Sequence, residues 1–238
     1  MKVAAKPQLT IEQKKANVDL YIIIGITILI LAIYTSFQAQ FNLLAIDQEI
    51  HILLRTIVIA FMQFGVAGLG IVSVMILRKE SFQSYVLKRK GALKSIILSA
   101  LMFVPYVVFA IFAGHFNGYL PLQSVFMTKE VLASNFPTNI IGMLLIAASW
   151  GFFEGFNYVV ISKKINTRYP SSNKWLNWGA IICAVVCILI HDVVGVTAES
   201  LFEMLSVFII IYGMLMVKEH TGNAWGSVFI FIFLWNAL

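Results

Sequence analysis

Long apolar runs, separated by short polar connections, follow one another along almost the whole chain. Each run approaches the length of about 20 residues that a helix needs to cross the hydrocarbon core of a bilayer. Helices are expected because an open strand would leave backbone amides without partners in lipid. The pattern predicts an all-α polytopic transmembrane bundle of about seven helices. It forms one domain, residues 20–238, after a polar N-terminal segment, residues 1–19. The predicted spans are residues 20–38, 53–77, 95–114, 139–162, 176–196, 201–217 and 224–238.

Basic residues occur almost entirely in alternate connections. Fifteen of the seventeen Lys and Arg residues lie in the N-terminal segment or in the second, fourth and sixth connections, and the exceptions are Arg55 and Lys129. Basic connections of membrane proteins stay on the cytoplasmic side. The sequence therefore predicts an integral multi-pass protein of the cell membrane with a cytoplasmic N-terminus.

The composition excludes two classes of protein. With 60% hydrophobic and only 12% charged residues, the chain has about half the charged residues of a soluble domain, which carries about 25%. The net charge of +6 does not indicate nucleic-acid binding, because the basic residues lie in the connections between apolar spans, where they orient a membrane protein. Membrane lipid is the expected partner, and nucleic acid is not.

Three polar residues inside the predicted spans are the first candidates for function: Glu154, His191 and Asn236. A charged residue at the centre of a membrane helix costs about 2.5–3.5 kcal/mol, so it needs a partner or a purpose. A Glu and a His in one cavity can activate water, and an Asn amide can donate to an oxyanion. Ion passage and a purely structural hydrogen bond between helices are the alternatives.

The predicted spans place Glu154 and His191 at different depths. At 1.5 Å per residue, the difference along the membrane normal is about 10 Å. A later start and end for the fourth span, or a tilt of the helices, would bring the two side chains to one level.

Two cysteines share a helix face with the histidine. Cys183, Cys187 and His191 recur every four residues in the fifth span, and Asp192 follows. Buried cysteines at this spacing favour simple packing. A metal site formed by these residues is the weaker alternative. No cofactor is expected, although a divalent metal stays open.

Three short segments, on three predicted spans, resemble the motifs of the CPBP family, the CAAX-prenyl protease and bacteriocin-processing family. They read EGFNYV (154–159), CILIH (187–191) and IFLWN (232–236). The family motifs are EE-x-x-x-R, an apolar residue followed after three residues by His, and H-x-x-x-N. The resemblance covers roughly residues 50–238.

The resemblance implies a function for each matched position. Members of this family are intramembrane proteases, in which the first Glu and the first His activate water and a later His and Asn form an oxyanion hole. Glu154 and His191 match the water-activating pair, and Asn236 matches the oxyanion donor. Nearby donors, Tyr158 and Asn157, are candidates to support substrate or oxyanion binding.

The chain departs from the family motifs at three positions. Gly155 replaces the second Glu, Val159 replaces the Arg, and Ile232 replaces the later His. The expectation is a CAAX-protease-like, glutamate-dependent endopeptidase with reduced activity, acting on membrane-associated peptides or proteins. The alternative is a catalytically degenerate relative that acts as a membrane interaction or bacteriocin-immunity protein.

Overall fold

The computed structural model describes residues 8–116, 118–191 and 193–238, and within these ranges the chain is helical and contains no strand. All seven apolar runs form helices, which confirms the all-α bundle. Two short additional helices, α2 and α5, lie in connections. The helices are α1 (Ile11–Ser36), α2 (Gln38–Ile46), α3 (Ile52–Arg78), α4 (Ala92–Phe112), α5 (Thr128–Ala133), α6 (Thr138–Arg168), α7 (Trp178–Ile190), α8 (Ala198–Thr221) and α9 (Trp225–Trp235).

Five of these helices are long and apolar enough to cross a membrane: α1, α3, α4, α6 and α8. The protein is therefore a multi-pass membrane protein. The other two predicted spans form shorter apolar helices, α7 with 13 residues and α9 from Trp225 to Trp235. Each is below the length of about 20 residues that crosses the hydrocarbon core alone.

The first helix begins earlier than its apolar run. Thr10 caps α1, since its Oγ1 accepts a hydrogen bond from the Gln13 amide at 3.2 Å and Gln13 Oε1 accepts one from the Thr10 amide at 3.0 Å. This reciprocal cap satisfies two backbone donors at the helix start. Residues 11–19, predicted as part of a polar segment, therefore belong to the helix. Lys2 and Lys6 of that segment lie outside the described residues.

The basic connections meet at one end of the bundle, called the basic end here. The Asn223 side chain, just after α8, donates to the carbonyl oxygens of Lys88 at 2.6 Å and Lys90 at 2.9 Å. Gln13, at the start of α1, donates to the carbonyl oxygen of Arg168 at 3.4 Å, at the end of α6. The basic connections, which alternate with the others along the sequence, thus lie together at one end of the bundle.

A buried ion-pair network fastens the helices together at the basic end. Both carboxylate oxygens of Asp19 are used, by Arg78 at 2.7 Å and by Lys164 at 2.9 Å. Lys164 also contacts Glu80 at 2.9 Å, and Tyr85 donates to Glu80. Burial raises the pKa of Glu80, but the hydrogen bonds from Tyr85 and Lys164 outweigh it and hold that pKa below its usual value. The network therefore links α1, α3 and α6 through ion pairs between buried and half-buried side chains.

At the opposite end, the long connection before α6 packs into the bundle and meets α9. The Leu120 amide donates to the carbonyl oxygen of Ala237 at 3.1 Å, and the Ser124 amide donates to that of Asn236 at 3.1 Å. Leu122 and Val125 of this connection are buried. The predicted spans leave residues 115–138 as a connection. Hydrogen bonds from Leu120 and Ser124 attach this connection to the residues that follow α9.

Arg55, a basic residue that departs from the charge alternation, is paired rather than free. It is buried and forms a two-pronged ion pair with Glu130. Its remaining donors reach the carbonyl oxygens of Ala45 at 2.8 Å and Ile50 at 2.9 Å. A guanidinium that makes four hydrogen bonds, two of them to one carboxylate, joins α3 to α5.

Candidate active site

Three segments of π-helix meet near the middle of the bundle. They are Gly65–Leu69 in α3, Ala147–Phe153 in α6 and Phe231–Trp235 in α9. The segment in α6 contacts both of the others. A π-turn inserts one extra residue into a helix, which shifts the following side chains around the axis, and such turns occur often at functional sites. Glu154 comes directly after the π-segment of α6.

Glu154 is buried and has a partner for each carboxylate oxygen. Its Oε1 lies 3.4 Å from Nε2 of His191. Its Oε2 accepts a hydrogen bond from Nε2 of Gln63 at 3.1 Å. Three helices, α3, α6 and α7, thus bring one acid, one amide and one imidazole to a single point.

The two principal residues predicted from sequence are therefore brought together by the fold. Helix α6 continues to Arg168, six residues beyond the predicted end of its span. Glu154 consequently lies fourteen residues from the basic end of α6, and His191 lies thirteen residues after the start of α7 at Trp178. The predicted difference in depth disappears because the fourth span ends later.

His191 caps the C-terminal end of α7. Its backbone amide donates to the carbonyl oxygen of Cys187 at 3.1 Å. Its ring packs edge-on against Trp235 with ring centroids 5.3 Å apart, and 33% of its side chain is exposed. The imidazole therefore contacts the buried carboxylate on one side and is partly exposed on the other. Asp192, which follows it, lies outside the described residues.

Cys187 lies close to both the histidine and Tyr158. Its thiol is buried. The Tyr158 ring is buried as well and stacks on Phe231 with centroids 5.3 Å apart. Tyr158 therefore lies near Glu154, on the same helix, and near Cys187 of α7.

The alternative of a metal site gains no support. Among the residues that the structure describes, no group of three His, Cys, Asp or Glu side chains lies close enough to hold a metal ion. Cys183 contacts the Tyr158 carbonyl oxygen, with its Sγ at 3.7 Å. Together with Cys187 it belongs to the hydrophobic core, as the packing interpretation predicts.

Asn236 is not in contact with the acid–imidazole pair. Its Oδ1 accepts a hydrogen bond from Ser124 Oγ at 2.9 Å, and within the described ranges no hydrogen bond joins it to Glu154 or His191. Its neighbour Trp235 is the residue of this segment that contacts His191. The structure thus places two of the three proposed catalytic residues, Glu154 and His191, in contact. The third, Asn236, follows Trp235, the residue that packs against His191.

The other supporting candidate, Asn157, lies one helical turn after Glu154. Its Oδ1 is buried and has no hydrogen-bond partner among the described residues. An unpartnered buried amide oxygen costs about 1–3 kcal/mol. Asn157 therefore keeps an unused acceptor near the site.

Close packing of α9 against α6 accounts for two of the departures from the family motifs. A Cβ on Gly155 would lie 2.8 Å from the Ser227 carbonyl oxygen, which leaves no space for a Glu. A Cβ on Gly151 would lie 2.5 Å from Cγ1 of Ile232. The Ile232 side chain thus occupies the space that is free because Gly151 has no side chain. Val159, the third departure, is buried in the hydrophobic core.

Gln63 is the site residue that sequence reasoning missed. It stands alone among apolar residues in IVIAFMQFGVAG, two residues before a π-segment. The same criterion that identified Glu154, a costly polar residue within an apolar span, would have found it.

Comparison with known proteins does not identify a family. No family model matches the sequence, and no curated protein or solved structure shows significant similarity to it. The resemblance to the CPBP motifs therefore remains a hypothesis, and the function has to be argued from the geometry of the site.

Proposed function

We propose that this protein is a CPBP-like, glutamate-dependent intramembrane endopeptidase. The observation that carries the proposal is the contact of 3.4 Å between Glu154 Oε1 and His191 Nε2 inside a bundle of apolar helices. Each carboxylate oxygen can accept a second hydrogen bond, so Glu154 can bind a water molecule beside the imidazole and remove its proton. Gln63 holds the other carboxylate oxygen, which fixes the orientation of the acid.

The proposed reaction is hydrolysis of a peptide bond. Glu154 takes a proton from water while the water oxygen attacks the carbonyl carbon of the substrate, and His191 orients that water. The C–N bond then breaks, and the proton passes from Glu154 to the leaving amine. The products are a new carboxylate and a new amine, so the reaction needs no oxidant or further reactant.

Stabilisation of the oxyanion is assigned to the C-terminal segment. Ser124 uses the Oδ1 atom of Asn236, so the Nδ2 group keeps two hydrogens that can donate to a substrate oxygen. Trp235, the residue before Asn236, packs edge-on against the histidine ring, and its indole N–H is proposed as a second donor. A site in which Ile232 replaces a histidine is expected to be slow, because one oxyanion donor contributes about 10²–10³ in rate.

A membrane-associated peptide or protein is the proposed substrate. One third of the His191 side chain is exposed, and the connection that follows α7 carries exposed apolar residues, Val194 and Val196. This exposed connection gives an apolar substrate a route from the bilayer to the imidazole. A prenylated CAAX tail is one substrate of this chemistry.

We also propose that the basic end faces the cytoplasm of the cell. The connections that carry most of the Lys and Arg residues meet at that end, as the hydrogen bonds from Asn223 and Gln13 indicate. By the positive-inside rule, this arrangement favours a cytoplasmic N-terminus in the cell membrane.

The proposal is tested by cleavage in heavy-oxygen water. The protein is reconstituted in liposomes with a panel of membrane-associated peptides, and the products are analysed by mass spectrometry. If water is the nucleophile, each new C-terminal carboxyl group is expected to carry one heavy oxygen. Absence of cleavage across the panel by folded protein would argue against the protease function.

A second candidate function is binding without cleavage, as in a bacteriocin-immunity protein. It is favoured by Ile232, which stands at the position of the histidine in the CPBP motif. The Ile232 side chain packs against Gly151. Under this alternative, cells that express Glu154→Gln or His191→Ala would keep full protection against a secreted peptide toxin. Loss of protection in both variants would argue for catalysis instead.

Gln63 is expected to act as a positioning residue for the acid. A hydrogen bond to a charged group contributes about 1.5–3 kcal/mol, so Gln63→Leu is expected to lower kcat about 10- to 100-fold with little change in KM. The measurement is the cleavage rate at saturating substrate. Gln40→Leu, at an exposed position of α2, is the matched control, and equal losses in both variants would contradict the assignment.

A further inference from the structure

We propose that a cavity at the basic end of the bundle binds a membrane phospholipid with an anionic headgroup. The cavity has a volume of about 1080 Å³ and lies between the end of α6, the connection at residues 169–177 and the second half of α8. Neither Glu154 nor His191 lines it. At 1.5 Å per residue, Lys163 in its wall lies about 14 Å along α6 from Glu154, so this site is separate from the proposed active site.

The wall of the cavity is suited to one acyl chain. Phe208, Tyr212 and Met216 lie four residues apart on one face of α8, and Met102 of α4 closes the wall. From Phe208 to His220 the cavity follows α8 for about 18 Å. One leaflet of the hydrocarbon core is about 15 Å thick, half of the full core. The cavity thus extends from the level of the headgroups to the middle of the membrane.

The mouth of the cavity carries positive charge. Lys163 and Lys174 both line it. Lys174 is exposed and forms no ion pair with any residue that the structure describes. Glu219, an acidic residue at the mouth, is paired with Lys218 at 2.6 Å, so its charge is balanced. Lys163 donates to the Ser84 carbonyl oxygen at 2.6 Å and has two further N–H donors. An anion between Lys163 and Lys174 therefore has charge complementarity with the site.

An aromatic side chain marks the membrane surface at this mouth. Trp175 is exposed, and its carbonyl oxygen accepts a hydrogen bond from the Tyr212 hydroxyl at 2.7 Å. This bond holds the connection over α8. Trp and Tyr residues gather where the membrane meets water, which places the two lysines at the level of lipid headgroups.

The cavity wall favours a lipid over a peptide. The apolar wall is made by side chains of helices, whose backbone amides and carbonyls are already paired within the helix. An extended peptide would need a free strand edge or comparable backbone partners to satisfy its own amides. An acyl chain has no such requirement, so the apolar wall and the cationic mouth together match a phospholipid.

The proposal is tested by native mass spectrometry of the purified full chain. The protein is titrated with phosphatidylglycerol and with phosphatidylcholine of the same acyl chains. We expect one site that binds phosphatidylglycerol at least about tenfold more tightly. Lys163→Gln/Lys174→Gln is expected to remove most of that preference, and Lys174→Gln alone, at an exposed side chain, to reduce it with no effect on folding.

Control variants separate a specific site from general attraction to a basic surface. Lys79→Gln/Lys94→Gln makes the same change in charge at exposed positions of the same end and is expected to leave the preference intact. Met216→Trp, which fills the cavity, is expected to weaken binding of both lipids. Equal affinity for both lipids, an equal loss in the control pair, or displacement by glycerol phosphate alone at the same concentration would overturn the proposal.

Discussion

Replacing Glu154 with glutamine is expected to slow peptide cleavage about 10²- to 10⁴-fold while the bundle stays folded. Glutamine has nearly the same shape as glutamate, and its carbonyl oxygen can still accept the hydrogen bond that Gln63 donates at 3.1 Å. A carboxamide, however, does not take a proton from water at neutral pH. The loss should therefore appear in the rate and leave the thermal stability almost unchanged.

The measurement is the single-turnover cleavage rate in liposomes, together with the midpoint of thermal unfolding in detergent. Glu49→Gln makes the same chemical change at an exposed residue of the connection between α2 and α3, and it should cleave as the parent does. Cleavage by Glu154→Gln at the parental rate would remove the carboxylate from the mechanism, even if the protein proves to be a protease.

The helical bundle could be predicted from the sequence because lipid permits few alternatives. An apolar run of about 20 residues has to satisfy its own backbone groups, and a helix does so. The same reasoning located Glu154 and His191, since an ionisable group in an apolar span needs a partner. Their contact at 3.4 Å is the outcome that this reasoning anticipates.

The details that could not be predicted depend on contacts between distant parts of the chain. Hydropathy alone does not show that Leu120 and Ser124 form hydrogen bonds with the residues that follow α9. It also does not show the start of α1 at Ile11, which depends on the cap formed by Thr10 and Gln13. The π-segment before Glu154 shifts side chains around the helix axis, and no spacing rule for an α-helix includes that shift.

The position of Asn236 shows that a matching motif does not determine which residues a side chain contacts. Its spacing in IFLWN matches the family motif, yet its Oδ1 is bonded to Ser124 at 2.9 Å. A motif gives the order of residues along a helix, whereas the direction of each side chain depends on the turns between them. Here the π-segment Phe231–Trp235 overlaps the motif, residues 232–236.

Placing the second glutamate of the CPBP motif at position 155 is expected to prevent correct folding and to give no gain in activity. A Cβ at Gly155 would lie 2.8 Å from the Ser227 carbonyl oxygen and 3.1 Å from the Val228 Cα. Both are backbone atoms of α9, so they cannot move aside as the end of a flexible side chain can. Gly155→Glu would add to this clash a carboxylate in a buried position with no described cation beside it. We expect most of the variant to be lost as aggregate in size-exclusion chromatography.

Alanine substitutions at two glycines separate the steric effect from that of charge. Gly155→Ala retains the clash without the carboxylate and is expected to destabilise the protein by about 1–3 kcal/mol, the usual cost of overpacking. Gly25→Ala is the matched control in α1, because a Cβ there would meet nothing within 4 Å and alanine favours a helix more than glycine does. Thermal unfolding in detergent compares the two variants with the parent. If Gly155→Glu instead folded as stably as the parent and cleaved faster, α9 would not be packed against α6 at this position, and the explanation of the missing glutamate would be wrong.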